Sequence, residues 1–173
     1  LFGKKETGTE GHVFTDRAYI TTAAKMKACA ELARREPNHL FICWFADTAI
    51  KLKEFFSQLG LDETVVTETH HLHTSKIQNK IPVLFEHYPL NTKELELIKN
   101  WDAKNIVVYS AMDEPLFKHF GSEKLIPLMK MMGMKEDEVI EHSMVSKSII
   151  KGQGKIAEQV SLELSANSQA DWM

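Results

Sequence analysis

Residues 40–46 read Leu-Phe-Ile-Cys-Trp-Phe-Ala, an apolar run with no polar alternation. A strand with one face in water would alternate, so this run predicts a strand covered on both faces, as in a parallel sheet under helices. Asp47 follows at once and is placed to cap a helix whose Ala49, Leu52, Phe56 and Leu59 keep helical spacing, with Gly60 as its left-handed stop. The same strand-then-helix grammar recurs along the chain. Thr64–Thr69, Ile81–Tyr88 and Asn105–Ser110 read as further strands, four in all. A helix over 22–35, capped by Thr21 or Thr22, carries an apolar stripe of Met26, Cys29, Ala30 and Ala33 and stops before Pro37. Asn91 with Glu94 three residues on predicts a capping-box start to a helix reaching Trp101. Alternating strands and helices predict one α/β domain with a mostly parallel sheet and right-handed crossovers.

From Asp113 onward the pattern is helical. Asp113 is placed to cap a short helix ending at Gly121, and Ser122 another with Leu125, Leu128, Met129 and Met132 on its inner face. A last helix from Ser143 carries Val145, Ile149 and Ile156, with Gly152 and Gly154 weakening its middle by about 1 kcal/mol each relative to Ala. Residues 1–12 are expected to form a flexible tail, 13–121 the α/β domain, 122–165 a helical extension packed on it, and 166–173 a frayed end.

The 173 residues, 43% hydrophobic and 26% charged, suffice for one core. A net charge of -3 with scattered Lys and Arg argues against nucleic acid as a partner. No apolar run approaches the roughly 18 residues of a membrane span. Cys29 and Cys43 fall on a buried helix face and a strand, which predicts inert free thiols and a cytoplasmic setting. The chain begins with Leu1, so a processed product or a piece of a longer protein is expected.

Candidate chemistry is sparse. His70, His71 and His73 are the densest group of possible metal ligands. Neighbouring histidines in an extended loop seldom converge on one zinc, and a solvated polar loop explains them as well. Glu68, Glu86 and His87 stand near strand ends, on the edge where open α/β sheets bind ligands. A carboxylate beside an imidazole suits acid–base work, but a surface position at a strand end accounts for the residues more simply. There is no Gly-x-Ser-x-Gly elbow, and neither the glycines of the first 12 residues nor Gly152-Gln-Gly-Lys155 has phosphate-loop spacing. The cluster Met129, Met131, Met132, Met134 and Met144 reads as core filling, with an exposed docking patch as the alternative. No catalytic residue, cofactor or metal is assigned.

Two segments then become specific. Val108-Tyr-Ser-Ala-Met-Asp-Glu-Pro-Leu-Phe-Lys-His-Phe-Gly-Ser-Glu-Lys124 resembles the stretch that closes the second nucleotide-binding lobe of the SecA preprotein translocase ATPases. Its Gly121, Ser122 and Glu123 match a Phe-Gly-Ser-Glu/Asp-Arg run of that family. Residues 128–147 then resemble the family's Leu-Gly-Met…Ile-Glu-His-Pro-Trp-Val-Thr-Lys segment, which opens its long scaffold helix. Gly133, Met134, Ile140, Glu141, His142, Val145 and Lys147 match in register. Residues 13–25 and 40–56 are similar, more loosely, to the opening of the same lobe.

The resemblance implies a RecA-like fold of the second-lobe type found in P-loop NTPases, with a helical extension. It also shows what differs. The family's Gly-Arg-Gly-Thr-Asp turn has no counterpart between Leu61 and Pro82. Its arginine-rich helix is replaced by Glu94-Leu-Glu-Leu-Ile-Lys-Asn-Trp101, where Pro82-Val-Leu-Phe-Glu-His87 stands for the preceding strand. The only arginines are Arg17, Arg34 and Arg35, all expected to precede the first strand. An arginine aimed at a transferring phosphoryl group is worth roughly 10³–10⁵ in rate, so the resemblance implies a degenerate lobe that is no enzyme by itself. The expected role is a protein-binding or regulatory module whose partner is a translocase component or another lobe of a parent protein. Two rival expectations stand beside it. One is the C-terminal part of a larger ATPase, contributing to an ATP or ADP site between lobes. The other is a metal-dependent hydrolase using Glu86, His87 and the loop of His70, His71 and His73.

Overall fold

A computed structural model of the chain describes residues 14–61, 65–69, 80–99, 106–119, 122–131, 133, 135, 138–140, 143–159 and 169. Its centre is a sheet of five strands: β1 (Phe14–Tyr19), β2 (His39–Cys43), β3 (Val65–Glu68), β4 (Ile81–Leu84) and β5 (Ile106–Ala111). Their spatial order is β1-β5-β4-β2-β3, and every pairing is parallel. Helices α1 (Thr22–Arg35), α2 (Ala46–Gln58), α3 (Asn91–Ile98), α4 (Pro115–His119), α5 (Ser122–Met131) and α6 (Ser143–Gln159) complete the described elements.

The apolar run at 40–46 has the environment its pattern demands. Phe41 and Cys43 face one side and pack with Cys29, Ala30 and Ala33 of α1 and Ala49, Leu52 and Phe56 of α2. Leu40 and Ile42 face the other and join Leu84, Ile106 and Val108, against which Leu95 and Leu97 of α3 pack. The protein is therefore α/β, a parallel sheet with helices on both faces, of the RecA-like type. The chain leaves β2 into α2 on one face and leaves β4 into α3 on the other. Because β2 and β4 are neighbours, their carboxyl ends flank a crevice of the kind that holds ligands in such sheets.

Several local expectations change. The sheet has a fifth strand: β1 forms over residues rich in polar side chains, and Arg17 lies on it and does not precede the sheet. Strands β2 and β4 end at Cys43 and Leu84, and after one more backbone bond, Phe85 N to Ile42 O at 2.9 Å, the chain turns away to cap and pack. Thr21 caps α1, its Oγ1 accepting from Ala24 N at 3.1 Å. Asp47 does not cap α2: the N-cap is Phe45, and Asp47 sits exposed in the first turn. Asn91 is the first residue of α3 and makes no cap, with Leu90 in that position. Asp113 accepts from Thr22 N and Oγ1 at 2.9 and 2.6 Å and so ties α1 to the β5 end. Gly60 ends α2 at φ 75°, and its neighbour Leu61 donates to Phe56 O at 2.8 Å.

Helix α6 runs unbroken through Gly152 and Gly154. Its Val145 and Ile149 pack on Ala18, Ile20, Met112, Phe117 and Ile140, and its Ile156 on Phe45, Tyr88 and Leu116. On α5, Ile126 and Met129 pack against the first of these clusters, while Met131 is 84% exposed. The side chains of Leu125, Leu128, Met132, Met134 and Met144 lie outside the described residues. No described helix is long and apolar enough to cross a membrane.

Candidate functional site

At the carboxyl edge of the sheet the segment Phe85–Tyr88, which follows β4, divides its groups between two buried polar networks. The first lines a cavity of about 270 Å³ over the ends of β1, β5, β4 and β2. Its walls are Thr22, Met26, Asp47, Thr48, Lys51, Phe85, Glu86, Asp113, Glu114, Pro115 and Gln169. Glu86 is 1% exposed. One of its carboxyl oxygens accepts from Trp44 N and Phe45 N at 3.0 and 3.2 Å, the other from Thr48 Oγ1 at 3.0 Å. Glu86 thus does for α2, from 41 residues away, what Asp47 was placed to do. Burial pushes its carboxyl up to about 7, against the pull of the Lys25 charge.

Beneath the cavity lies Lys25, completely buried. Its Nζ donates to Phe85 O and to Glu114 Oε2, both at 2.7 Å, and sits 3.9 Å from the Phe85 ring centroid. Glu114 also accepts from Ala111 N at 2.6 Å. The amine is paired, hydrogen-bonded and covered by a ring, which is the condition for keeping a charge in a core.

The second network is built on His87, 3% exposed. Its Nε2 lies 2.6 Å from Asp16 Oδ1 on β1, and its Nδ1 lies 2.7 Å from Glu94 Oε2 on α3. Burial opposes a charge on the ring, but the Glu94 and Asp16 carboxylates overcome it and hold the imidazole up at about 10. It is therefore an imidazolium at neutral pH, donating from both nitrogens. Burial also works to raise Asp16, and the His87 hydrogen bond and charge bring it below the ordinary carboxylate value. Glu94 further accepts from Tyr88 N at 2.9 Å. Helix α6 closes both ends. Ser146 Oγ donates to Asp16 Oδ2, and Gln153 Nε2 donates to Glu94 Oε1 at 2.8 Å and to Tyr88 O at 2.6 Å.

These contacts limit the chemistry. Glu86 and His87 are buried, not surface residues at a strand end, and they face different networks and form no acid–base pair. Ser146, Asp16 and His87 include the residue types of a serine hydrolase in the wrong order. There the imidazole must take the serine proton, whereas here Asp16 stands between the two and both ring nitrogens are engaged. Cys29 and Cys43 are buried free thiols, pushed well above their ordinary range by burial. Glu68 is half-buried at the end of β3, and among the described residues no group of three His, Cys, Asp or Glu side chains is placed to hold a metal ion.

His70, His71 and His73 lie outside the described residues, as do Gly121, Met134, Glu141 and His142 and the side chains of Ser122 and Glu123. Gly133 has φ 88°. Ile140 is buried and bridges Ala18 of β1, Ile140 N donating to Ala18 O at 2.6 Å. Val145 is buried, and Lys147 is exposed on α6. Asp16, Lys25, Ser146 and Gln153 are absent from the sequence-based candidates. A signal for two of them exists: Lys25 falls four and eight residues before Cys29 and Ala33, and Gln153 four after Ile149. Each is a polar residue on an apolar stripe.

No protein-family model matches the chain. Stretches of it match protein translocase subunits named SecA. The SecA of Christiangramia forsetii is 48% identical over 50 residues, 29% of this chain and 4% of that protein. SecA 1 of Chlorobium chlorochromatii is 41% identical over 58 residues, 34% of this chain and 6% of that protein. The SecA of Acidithiobacillus ferrooxidans is 50% identical over 48 residues, 28% of this chain and 5% of that protein. The match thus spans only a small part of the relatives' length. Over that stretch, about a third of its residues, the chain is SecA-related.

Proposed function

We propose that the chain is a SecA-related motor-lobe domain that has kept the lobe's architecture without its phosphate chemistry and works by binding a protein. The reading is carried by the cations at the carboxyl edge. Phosphoryl transfer depends on positioned cations. Among the described residues lining the cavity, Lys51 is the one basic side chain, beside Asp47, Asp113, Glu86 and Glu114. Lys25, directly below, is already committed to Phe85 O and Glu114. A polyphosphate would meet carboxyls where a working motor lobe offers arginines. The relatives' name, protein translocase subunit, supports a translocase component or another lobe of a parent protein as the partner.

The test is capture of a defined partner by the tagged chain in its native cells, repeated with Lys51→Glu and Asp47→Arg. Both positions are exposed, so the fold tolerates the changes. A translocase component retained by the parent chain and lost by these variants supports the reading. Retention of no such protein counts against it.

The small share of the relatives that is matched supports a second reading, in which the chain is part of a larger ATPase and completes an ATP or ADP site between lobes. Nucleotide-dependent stabilisation of the isolated chain would favour it.

A further inference from the structure

We infer that the His87 network is a latch that holds α6 on the sheet and lets it leave as a unit while the sheet stays folded. Among the described side chains, the two main cores, one between the sheet and α1 and α2, the other on the α3 side, contain none from α6. Helix α6 contributes Val145 and Ile149 to one satellite cluster and Ile156 to another. Removing it opens neither main core.

The contact between those two satellites is polar. Ser146 and Gln153 lie two turns apart on α6 and place one donor at each end of the Asp16–His87–Glu94 row. The row itself belongs to the lobe, with Asp16 on β1, His87 after β4 and Glu94 on α3. The groups that face His87 are the Asp16 carboxylate and the Phe14 ring from β1, the ring near-perpendicular at 6.1 Å between centroids, and the Glu94 carboxylate from α3. From α6, Ser146 acts through Asp16 and Gln153 through Glu94. One imidazolium between two carboxylates leaves one negative charge in excess, and the α6 donors meet the acceptor oxygens that remain.

Apolar side chains would hold a helix in this place at least as tightly, since a buried ionic set is often no stronger than its hydrophobic replacement. The polar set gives two other properties. It fixes the register, because Ser146 and Gln153 find their acceptors in one position only. It also gives α6 an inner face bearing a hydroxyl and an amide, which water can solvate once the helix is free. A helix fastened by few apolar contacts and a polar row belongs to the low-stability end of local opening.

Hydrogen exchange of the full chain, read by mass spectrometry as protection in α6 against protection in β2 and β4, tests the latch. Gln153→Leu removes the α6 donor to Glu94 and Tyr88 without touching the lobe. It is expected to lower α6 protection at least tenfold with strand protection within twofold. Ser146→Ala removes the other α6 donor, the one to Asp16, and is expected to do the same, and should either variant fail to fold, the other decides alone. Unchanged α6 protection in Gln153→Leu, or strand protection falling in parallel with it, overturns the proposal.

Discussion

Asp16 and His87 are 71 residues apart in the chain and meet at 2.6 Å, Oδ1 to Nε2, beside α6. The contact is the middle of a buried row that also holds Glu94, so removing the imidazole strands two carboxylates. Breaking a buried pair from one side costs about 3–5 kcal/mol. His87→Gln should lower the unfolding free energy read from urea titration by that order. A loss near zero would mean that the carboxylates find other partners.

The pH dependence follows from two raised values. His87 is held at about 10, above its ordinary 6.5, so its stabilisation is complete below about pH 6.5 and is lost as pH rises toward 10. Glu86 is raised to about 7 by burial, so its contribution is complete below about pH 4.5 and is lost as pH rises through 7. Asp16, lowered, acts the other way: its contribution is present above its unfolded value near 3.8 and is lost as pH falls through its lowered folded value. Urea midpoints across pH 4.5–10 should therefore decline throughout. Glu86→Gln should flatten the part below pH 7, and His87→Gln the part above it.

Lys25 and Glu114 form the second buried pair, 2.7 Å apart with the lysine fully covered. Lys25→Met should cost about 3–5 kcal/mol, because Glu114 is left buried with its charge. Adding Glu114→Gln should recover part of that loss. A double-mutant cycle is expected to give a coupling of roughly 0.5–3 kcal/mol, the range for groups in contact. Strict additivity would place the two side chains apart.

Adjacent isoleucines on α6 test its orientation. Ile149 is 1% exposed and Ile150 is 52% exposed. Ile149→Ala should cost about 2–5 kcal/mol, and Ile150→Ala less than about 0.5 kcal/mol, both read from thermal unfolding. Equal effects would reverse the assignment of the helix face.

How far the sequence carries depends on where each residue's partner lies. Leu40–Cys43 and the stripe Cys29, Ala30, Ala33 were legible because burial on both faces, or on one helical stripe, writes a local pattern. Strand β1 was not, since Thr15, Asp16 and Arg17 break any apolar run and the strand is specified by its pairing with β5. Glu94 reads as a cap from its spacing to Asn91, yet its carboxyl is taken by His87, Tyr88 and Gln153, the last 59 residues away. Glu86 and Asp47 exchange roles for the same reason: a cap can come from any element that reaches the helix end. The polar row that replaced an expected surface pair at Glu86 and His87 needed the fold to assemble it.

Thermal unfolding of the chain with and without saturating Mg-ATP or Mg-ADP tests the central claim most directly. A ligand at 100 times its dissociation constant stabilises by about 2.7 kcal/mol, a shift of roughly 5–10 °C for a chain of this size. The carboxyl-lined edge predicts no shift with either nucleotide. A shift of that size would show that the edge still holds a nucleotide and would contradict a lobe that has given up phosphate chemistry.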